Sequence, residues 1–202
     1  MLGKTHMAVG VATTLAITRP ATITEFVLAT GFGALGALIS DIDVGTSKSH
    51  HAADNMVLLA MFAVAAILIM DTVLHAGIVK RIIQDSGYIR ICIGVILFVA
   101  TCAFGKEQPH RSFMHSILAL VLLSIAIGLI WQKCVMYFYI GFLSHIAIDS
   151  LNMRKVRLLY PAKGGVCFKL FHAHGLANDV LFVIGMAVST LEIMMFIIRV
   201  FS

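Results

Sequence analysis

Seven histidines and aspartates stand in four groups at the ends of apolar runs, and their side-chain types suit the coordination of a divalent metal. In His145-Ile146-Ala147-Ile148-Asp149 an imidazole and a carboxylate sit at i and i+4, on one helical face, a two-toothed presentation for a cation. The same pair could instead hold two helices together through a His–Asp hydrogen bond, but ionisable groups inside apolar spans are costly and usually functional. Asp41-Ile42-Asp43 closes an earlier apolar run. In an extended loop the two carboxylates point the same way. Aspartates are common in helix-ending turns, yet acids at a helix C-terminus oppose its dipole, and a cation between them would lift that penalty. The third group is Pro109-His110-Arg111-Ser112-Phe113-Met114-His115-Ser116. Histidines five apart lie about 140° apart around a helix, so the expected arrangement has Ser112 as cap, His115 in the first turn and His110 reaching in from the loop. A single histidine at a span end is ordinarily an interfacial side chain; two flanking an arginine ask for more. His6, in Lys4-Thr5-His6, opens the first apolar run and joins the set by position.

His6, Asp41, Asp43, His110, His115, His145 and Asp149 offer four imidazoles and three carboxylates. That exceeds the four ligands of one zinc ion, and nitrogen and oxygen donors without thiolate suit Zn, Mn or Fe, as one ion or a pair. Two ions about 3.5–4 Å apart can activate water and clamp both oxygens of a phosphoryl displacement. Arg111, a planar fork, and Lys4, a point charge, are the candidate phosphate binders, though each could equally anchor to lipid headgroups. Asp179 and Ser116 are possible additions to the shell. The remaining histidines, His50, His51, His75, His172 and His174, read as surface or interfacial residues. Cys92, Cys102, Cys134 and Cys167 form no CxxC pair, so neither a zinc–thiolate site nor a disulfide framework is expected.

What must position these groups is a membrane bundle. Of 202 residues 60% are hydrophobic and 12% charged, with a mean hydropathy of +0.98, an apolar excess that only lipid can solvate. Backbone polar groups in lipid must be satisfied internally, so long apolar runs are helices. The sequence predicts an all-α, polytopic bundle in a single domain over 1–202, with about seven helical segments: Met7–Thr18, Thr24–Ser40, Met56–Ala76, Tyr88–Gly105, Phe113–Trp131, Cys134–Leu151 and Ala177–Phe201. The first two form a hairpin across Arg19-Pro20, either re-entrant or tilted, and Gly31, Gly33 and Gly36 suit close helix packing. Lys80–Gly87 reads as a polar loop and Asn152–Gly175 as a basic one. Counting spans brings all four groups to one face, whichever form the first hairpin takes.

The net charge of +5 is dispersed in short loops between spans, unlike the basic face of a nucleic-acid binder, so no nucleic-acid partner is expected. The bases instead report topology. The motif face carries Lys4, Lys48, Lys106, Arg111, Arg154, Lys155, Arg157, Lys163 and Lys169; the other carries Arg19, Lys80, Arg81, Arg90, Lys133 and Arg199. The excess on the motif face predicts that it is cytoplasmic. The N-terminus lacks the pattern of a cleaved signal peptide, and no removal is expected.

Lys4-Thr5-His6, Asp41-Ile42-Asp43, His110-Arg111 with His115-Ser116, Gly141-Phe142-Leu143-Ser144-His145 running to Asp149-Ser150-Leu151, and Leu158-Leu159-Tyr160-Pro161 occur in that order. The ordered set resembles the YdjM family of bacterial inner-membrane proteins, read as metal-dependent hydrolases and distantly similar to the zinc phospholipase C and P1-nuclease group. The resemblance runs to about Pro161. It implies an inner-membrane hydrolase acting through a metal-activated water on a phosphoester, with a lipid or lipid-linked substrate natural for a membrane-embedded site. A metal transporter, or a metal-binding membrane protein without hydrolase activity, would use the same ligands. Two departures stand in the C-terminal third: Asn152-Met153-Arg154-Lys155 replaces an expected Thr and Gly, and Gly175 to Asp179 stands where a glycine followed by a glutamate is expected.

Overall fold

In this computed structural model the described residues are 1–43, 71, 77–172 and 175–201. The span expected at Met56–Ala76 lies outside them except for Asp71, as do Lys48, His50, His51, His75 and His174.

Helix α1, Gly3–Thr18, begins four residues before the expected start, so His6 lies inside it. It stops where Arg19 turns left-handed (φ 44°) and returns its amide to the Leu15 carbonyl, with Pro20 unable to continue the ladder. Helix α2, Ile23–Ile39, opens on a capping box in which Thr22 and Glu25 satisfy each other's backbone amides. It runs into a 3-10 turn, Ser40–Asp43.

Helix α3, Ile78–Lys106, absorbs the stretch expected to be a polar loop. Ile78 and Ile82 pack into the core at helical spacing while Lys80, Arg81 and Gln84 turn outward, so Lys80–Gly87 is an amphipathic helical stretch. Gly87 (φ 71°) breaks the helical path before the lipophilic part. After a 3-10 turn at Phe113–His115 come α4, Ile117–Trp131, and α5, Val135–Ser150. Trp131 is extended (φ −158°, ψ 110°), and the 3-10 turn Gln132–Cys134 reverses the chain. The last helix, α6, is Leu176–Phe201.

Six helices thus stand among the described residues; taking α4 and α5 as one run through their turn leaves five helical runs, against the seven segments expected. The all-helical expectation holds among these residues, where two isolated bridges, Asn152 with Phe171 and Val156 with Val166, are the only strand-like pairings. Four stretches among the described residues are long and apolar enough to cross a membrane: Ile23–Asp43, Ile78–Lys106, Ile117–Ser150 (α4 and α5 taken together) and Leu176–Val200. The outward faces of α3 and α6 are apolar, with Ile89, Ile96, Val183 and Ile198 all exposed, a surface that suits lipid and not water.

Glycines set the depth at which α2 meets α5. A Cβ on Gly36 would strike the backbone of Phe138, and one on Gly141 the backbone of Gly33. Gly31, grouped with them in sequence, faces open space. From Gly33 on Gly141 to Ala37 on His145 the contacts advance in the same direction along both helices, so α2 and α5 run parallel and deliver Asp41–Asp43 and His145–Asp149 to one end of the bundle.

Candidate metal centre

His145 is the fixed point of the cluster. Its Nδ1 lies 2.6 Å from the Ala37 carbonyl oxygen, which can only accept, so Nδ1 carries the hydrogen and Nε2 presents a lone pair. Metal-ligating histidines characteristically make such a second bond, which sets both tautomer and ring orientation. His6 stacks on the same ring at 3.8 Å between centroids.

Around that nitrogen donor atoms from four elements converge: α1, the 3-10 turns Ser40–Asp43 and Phe113–His115, and α5 itself. His145 Nε2 is 3.2 Å from His115 Nε2 and 3.6 Å from Asp41 Oδ1. His115 Nε2 is 3.4 Å from Asp149 Oδ2 and 3.7 Å from Asp41 Oδ1, and His6 Nε2 is 3.4 Å from Asp149 Oδ1. Most of these separations are long for hydrogen bonds, which cluster at about 2.7–3.2 Å. Ligands about 2.1 Å from a tetrahedral ion stand about 3.4 Å apart, the spacing found here. Three overlapping triads have mutually close donor atoms: His6, His145 and Asp149; Asp41, His115 and His145; Asp43, His110 and His115. Both ring nitrogens of His6 and Nδ1 of His115 are buried without a hydrogen-bond partner, a costly state that a cation would relieve. The donor set therefore fits a divalent metal.

Asp41 and Asp43 diverge, contrary to the expectation that they face one cation between them. The segment is a 3-10 turn, not an extended loop, so the pair does not share a direction. Asp41 faces Nε2 of His115, whereas Asp43 lies 3.6 Å from Nδ1 of the same ring. His115 sits between the two carboxylates. Burial of that ring disfavours its charged form, but the carboxylates of Asp149, Asp41 and Asp43 outweigh it and hold its pKa well above the ordinary imidazole value. The pocket thus favours positive charge.

His110 is at the rim, its side chain 33% exposed and its Nδ1 2.8 Å from Asp43 Oδ1. The expected cap is displaced: Ser116, not Ser112, accepts the Ala119 amide and starts α4, because the chain makes a 3-10 turn first. Ser116 also donates to the Phe113 carbonyl, so both its bonds are local. Arg111, left-handed at φ 65°, lies inside the cluster: Nη2 is 3.0 Å from Asp149 Oδ2 and Nη1 donates to the Arg154 carbonyl at 3.1 Å, while Nε is buried without a partner. Its backbone amide donates to Asp43.

Lys4 is exposed and lies over the Phe182 ring, 4.9 Å from its centroid, directed toward α6. Asp179 is exposed and accepts from Asn178 Nδ2. The residue buried there is Asn178, whose Oδ1 accepts from the Leu2 amide and from Thr5 Oγ1, bracing the turn that carries His6. Asn178 and the Ala37 carbonyl were both missed by the sequence reading. The signal for the first was an amide in the opening turn of an apolar helix; a backbone carbonyl leaves none. The amino group of Met1 also contacts Asp149 Oδ1, at 3.1 Å.

The model of the YdjM inner membrane protein family matches residues 1–201, and the chain belongs to that family. No curated protein and no solved structure matches the chain.

Proposed function

We propose that this protein is a membrane-embedded, metal-dependent hydrolase that cleaves a phosphoester of a lipid or lipid-linked molecule. The observation that carries the reading is the set of donor-atom separations between 3.2 and 3.7 Å among His6, Asp41, His115, His145 and Asp149, centred on an Nε2 whose tautomer is fixed. Those five residues, with buried Asp43 and with His110 at the rim, would hold one divalent ion or a pair, zinc foremost and manganese or iron next. Such a cation would supply Lewis-acid activation of water and of the phosphoryl group.

The chain's own residues do the rest. The Ala37 carbonyl orients His145 through Nδ1, and burial excludes bulk water from the donor set. Arg111 carries an unsatisfied Nε–H beside the same carboxylates, a donor available to a phosphate oxygen as charge develops there. The position of the cluster favours an enzyme over a transporter. Transport sites usually lie near the bilayer midplane at broken helices, whereas these donors come from the starts of α1 and α4 and the ends of α2 and α5. The same face carries the excess of Lys and Arg, which supports a cytoplasmic orientation in the inner membrane.

Elemental analysis of protein purified without added metal tests the first half. Bound divalent metal near stoichiometry supports the reading; metal-free protein with no affinity on titration rejects it. Release of phosphate or a headgroup from mixed bacterial lipids tests the second, and a metal-loaded protein that releases neither would be a metal-binding protein of another kind.

A further inference from the structure

Between α5 and α6 the chain departs from the character of the rest. Residues 152–172 hold five of the chain's fifteen Lys and Arg and none of its ten Asp and Glu. All five bases, Arg154, Lys155, Arg157, Lys163 and Lys169, are exposed. Among them stand large apolar side chains that a water-facing loop would not show: Leu159, Leu170 and Phe168 are 72, 65 and 61% exposed.

The segment is nevertheless folded and tied to the bundle. Val156 and Val166 pair through both backbone bonds, the Phe168 amide donates to the Ser150 carbonyl and the Leu170 amide to the Leu151 carbonyl. It also forms one wall of the metal centre, because Arg111 donates from its side chain to the Arg154 carbonyl and accepts the Arg157 amide on its own carbonyl. The following helix, Leu176–Val200, is long and apolar enough to cross the bilayer, and α5 ends on the side where that helix begins, so this segment lies at the membrane surface. Bases interleaved with exposed apolar side chains, without acids, match an interface with anionic headgroups outside and acyl chains beneath.

We propose that residues 152–172 are a seat for anionic phospholipid headgroups, with Leu159, Phe168 and Leu170 dipping into the interface and the five bases neutralising phosphates beside the His/Asp cluster. The seat requires only that the chain cross the membrane. It stands or falls separately from the hydrolase reading.

The test places a reporter on the segment in the full-length protein. Phe168→Trp, reconstituted in lipid nanodiscs, is compared with the parent, whose single Trp131 supplies the background. The expected result is a blue-shifted emission, quenched by lipids brominated high on the acyl chain, with more quenching in phosphatidylglycerol than in phosphatidylcholine. Adding Lys155→Gln, Lys163→Gln and Lys169→Gln should abolish the difference between the two lipids while metal content stays unchanged. Emission no more quenched than the parent's would overturn the proposal, since the segment would then face water. Equal quenching in both lipids would overturn the anionic-headgroup assignment. Should Phe168→Trp not fold, protection of Lys163 and Lys169 from trypsin by phosphatidylglycerol, and not by phosphatidylcholine, gives the same two-way answer. Protection found only in native membranes would point to a protein partner and would also overturn it.

Discussion

His145 donates its Nδ1 hydrogen to the Ala37 carbonyl at 2.6 Å, which aims Nε2 at His115, Asp41 and Asp149 and makes a contact between two helices into the orienting bond of the cluster. The first prediction follows from that geometry. His145→Ala and Asp149→Ala should each lower bound metal, by about tenfold or more in affinity, while far-UV circular dichroism stays nearly unchanged. Full metal occupancy in both variants would remove the pair from the site.

Metal affinity should depend on pH with a definite sign. Burial disfavours a charged His115, but Asp149, Asp41 and Asp43 outweigh it and raise its pKa, so the metal-free ring keeps its proton to higher pH than an ordinary imidazole. A cation must displace that proton. Affinity should therefore rise with pH, by about tenfold per unit for one displaced proton, and level off once pH passes the raised pKa. Competition titrations against a chelator, with proton release followed in weak buffer, measure both. Affinity independent of pH across the neutral range would show that His115 is not a ligand.

Much of this was legible because helices make side-chain direction periodic. Spacing alone put His145 and Asp149 on one face, and the alternation of spans brought His6, the Asp41–Asp43 turn and the His110–His115 segment to one end. What was not legible lies where local geometry departs from the regular element. The 3-10 turn at Ser40–Asp43 splits the aspartates across His115, and the one at Phe113–His115 moves the cap from Ser112 to Ser116. Lys80–Gly87 reads as a loop because most of its polar residues fall on the outward face of a helix whose inward face is Ile78, Ile82 and the polar Ser86. Arg111's pairing with Asp149 depends on a left-handed backbone angle that no residue type announces.

Helix spacing should control the site from a distance. In Gly36→Ala the new methyl meets the Phe138 backbone, which no rotamer change can relieve. Forcing α2 from α5 should cost about 1–3 kcal/mol and lower metal affinity, since the two helices carry Asp41 and His145. Gly31→Ala is the control: its methyl enters open space, and removing a helix-interior glycine should leave stability unchanged or raise it by up to about 1 kcal/mol. Thermal unfolding in detergent together with metal analysis reads both. Equal effects from the two substitutions would refute the close-contact account.

Arg111 should act on substrate and not as a ligand, because guanidinium has no lone pair to give. Arg111→Lys keeps the charge but loses the planar fork that reaches Asp149 and the Arg154 carbonyl together. Headgroup or phosphate release should drop by about 100-fold, the scale of a lost transition-state donor, with metal content preserved. Metal loss in parallel with turnover would instead make Arg111 a support for Asp149.

The last prediction concerns which side of the membrane the cluster faces. Helix α3 offers a test within one element, since its Lys106 end lies by Phe113 and Met114, next to the cluster, and its Ile78 end lies at the opposite side with Asp85, Trp131 and Lys133. Arg111 is buried against Asp149 and so does not report topology, but the other bases of the motif face still outnumber those opposite. The positive-inside rule then places the cluster in the cytoplasm. Single cysteines at Glu107 and Gln84, both exposed, should be introduced after removing Cys92, Cys102, Cys134 and Cys167; Ser86, nearer the kink, is buried and would give a false negative. An impermeant thiol reagent applied to intact cells should label Gln84→Cys and spare Glu107→Cys until the membrane is opened. The reverse pattern would turn the protein over and leave the cluster intact. Labelling of both from outside would mean that α3 does not cross, and with it would go the shared face on which the single site depends.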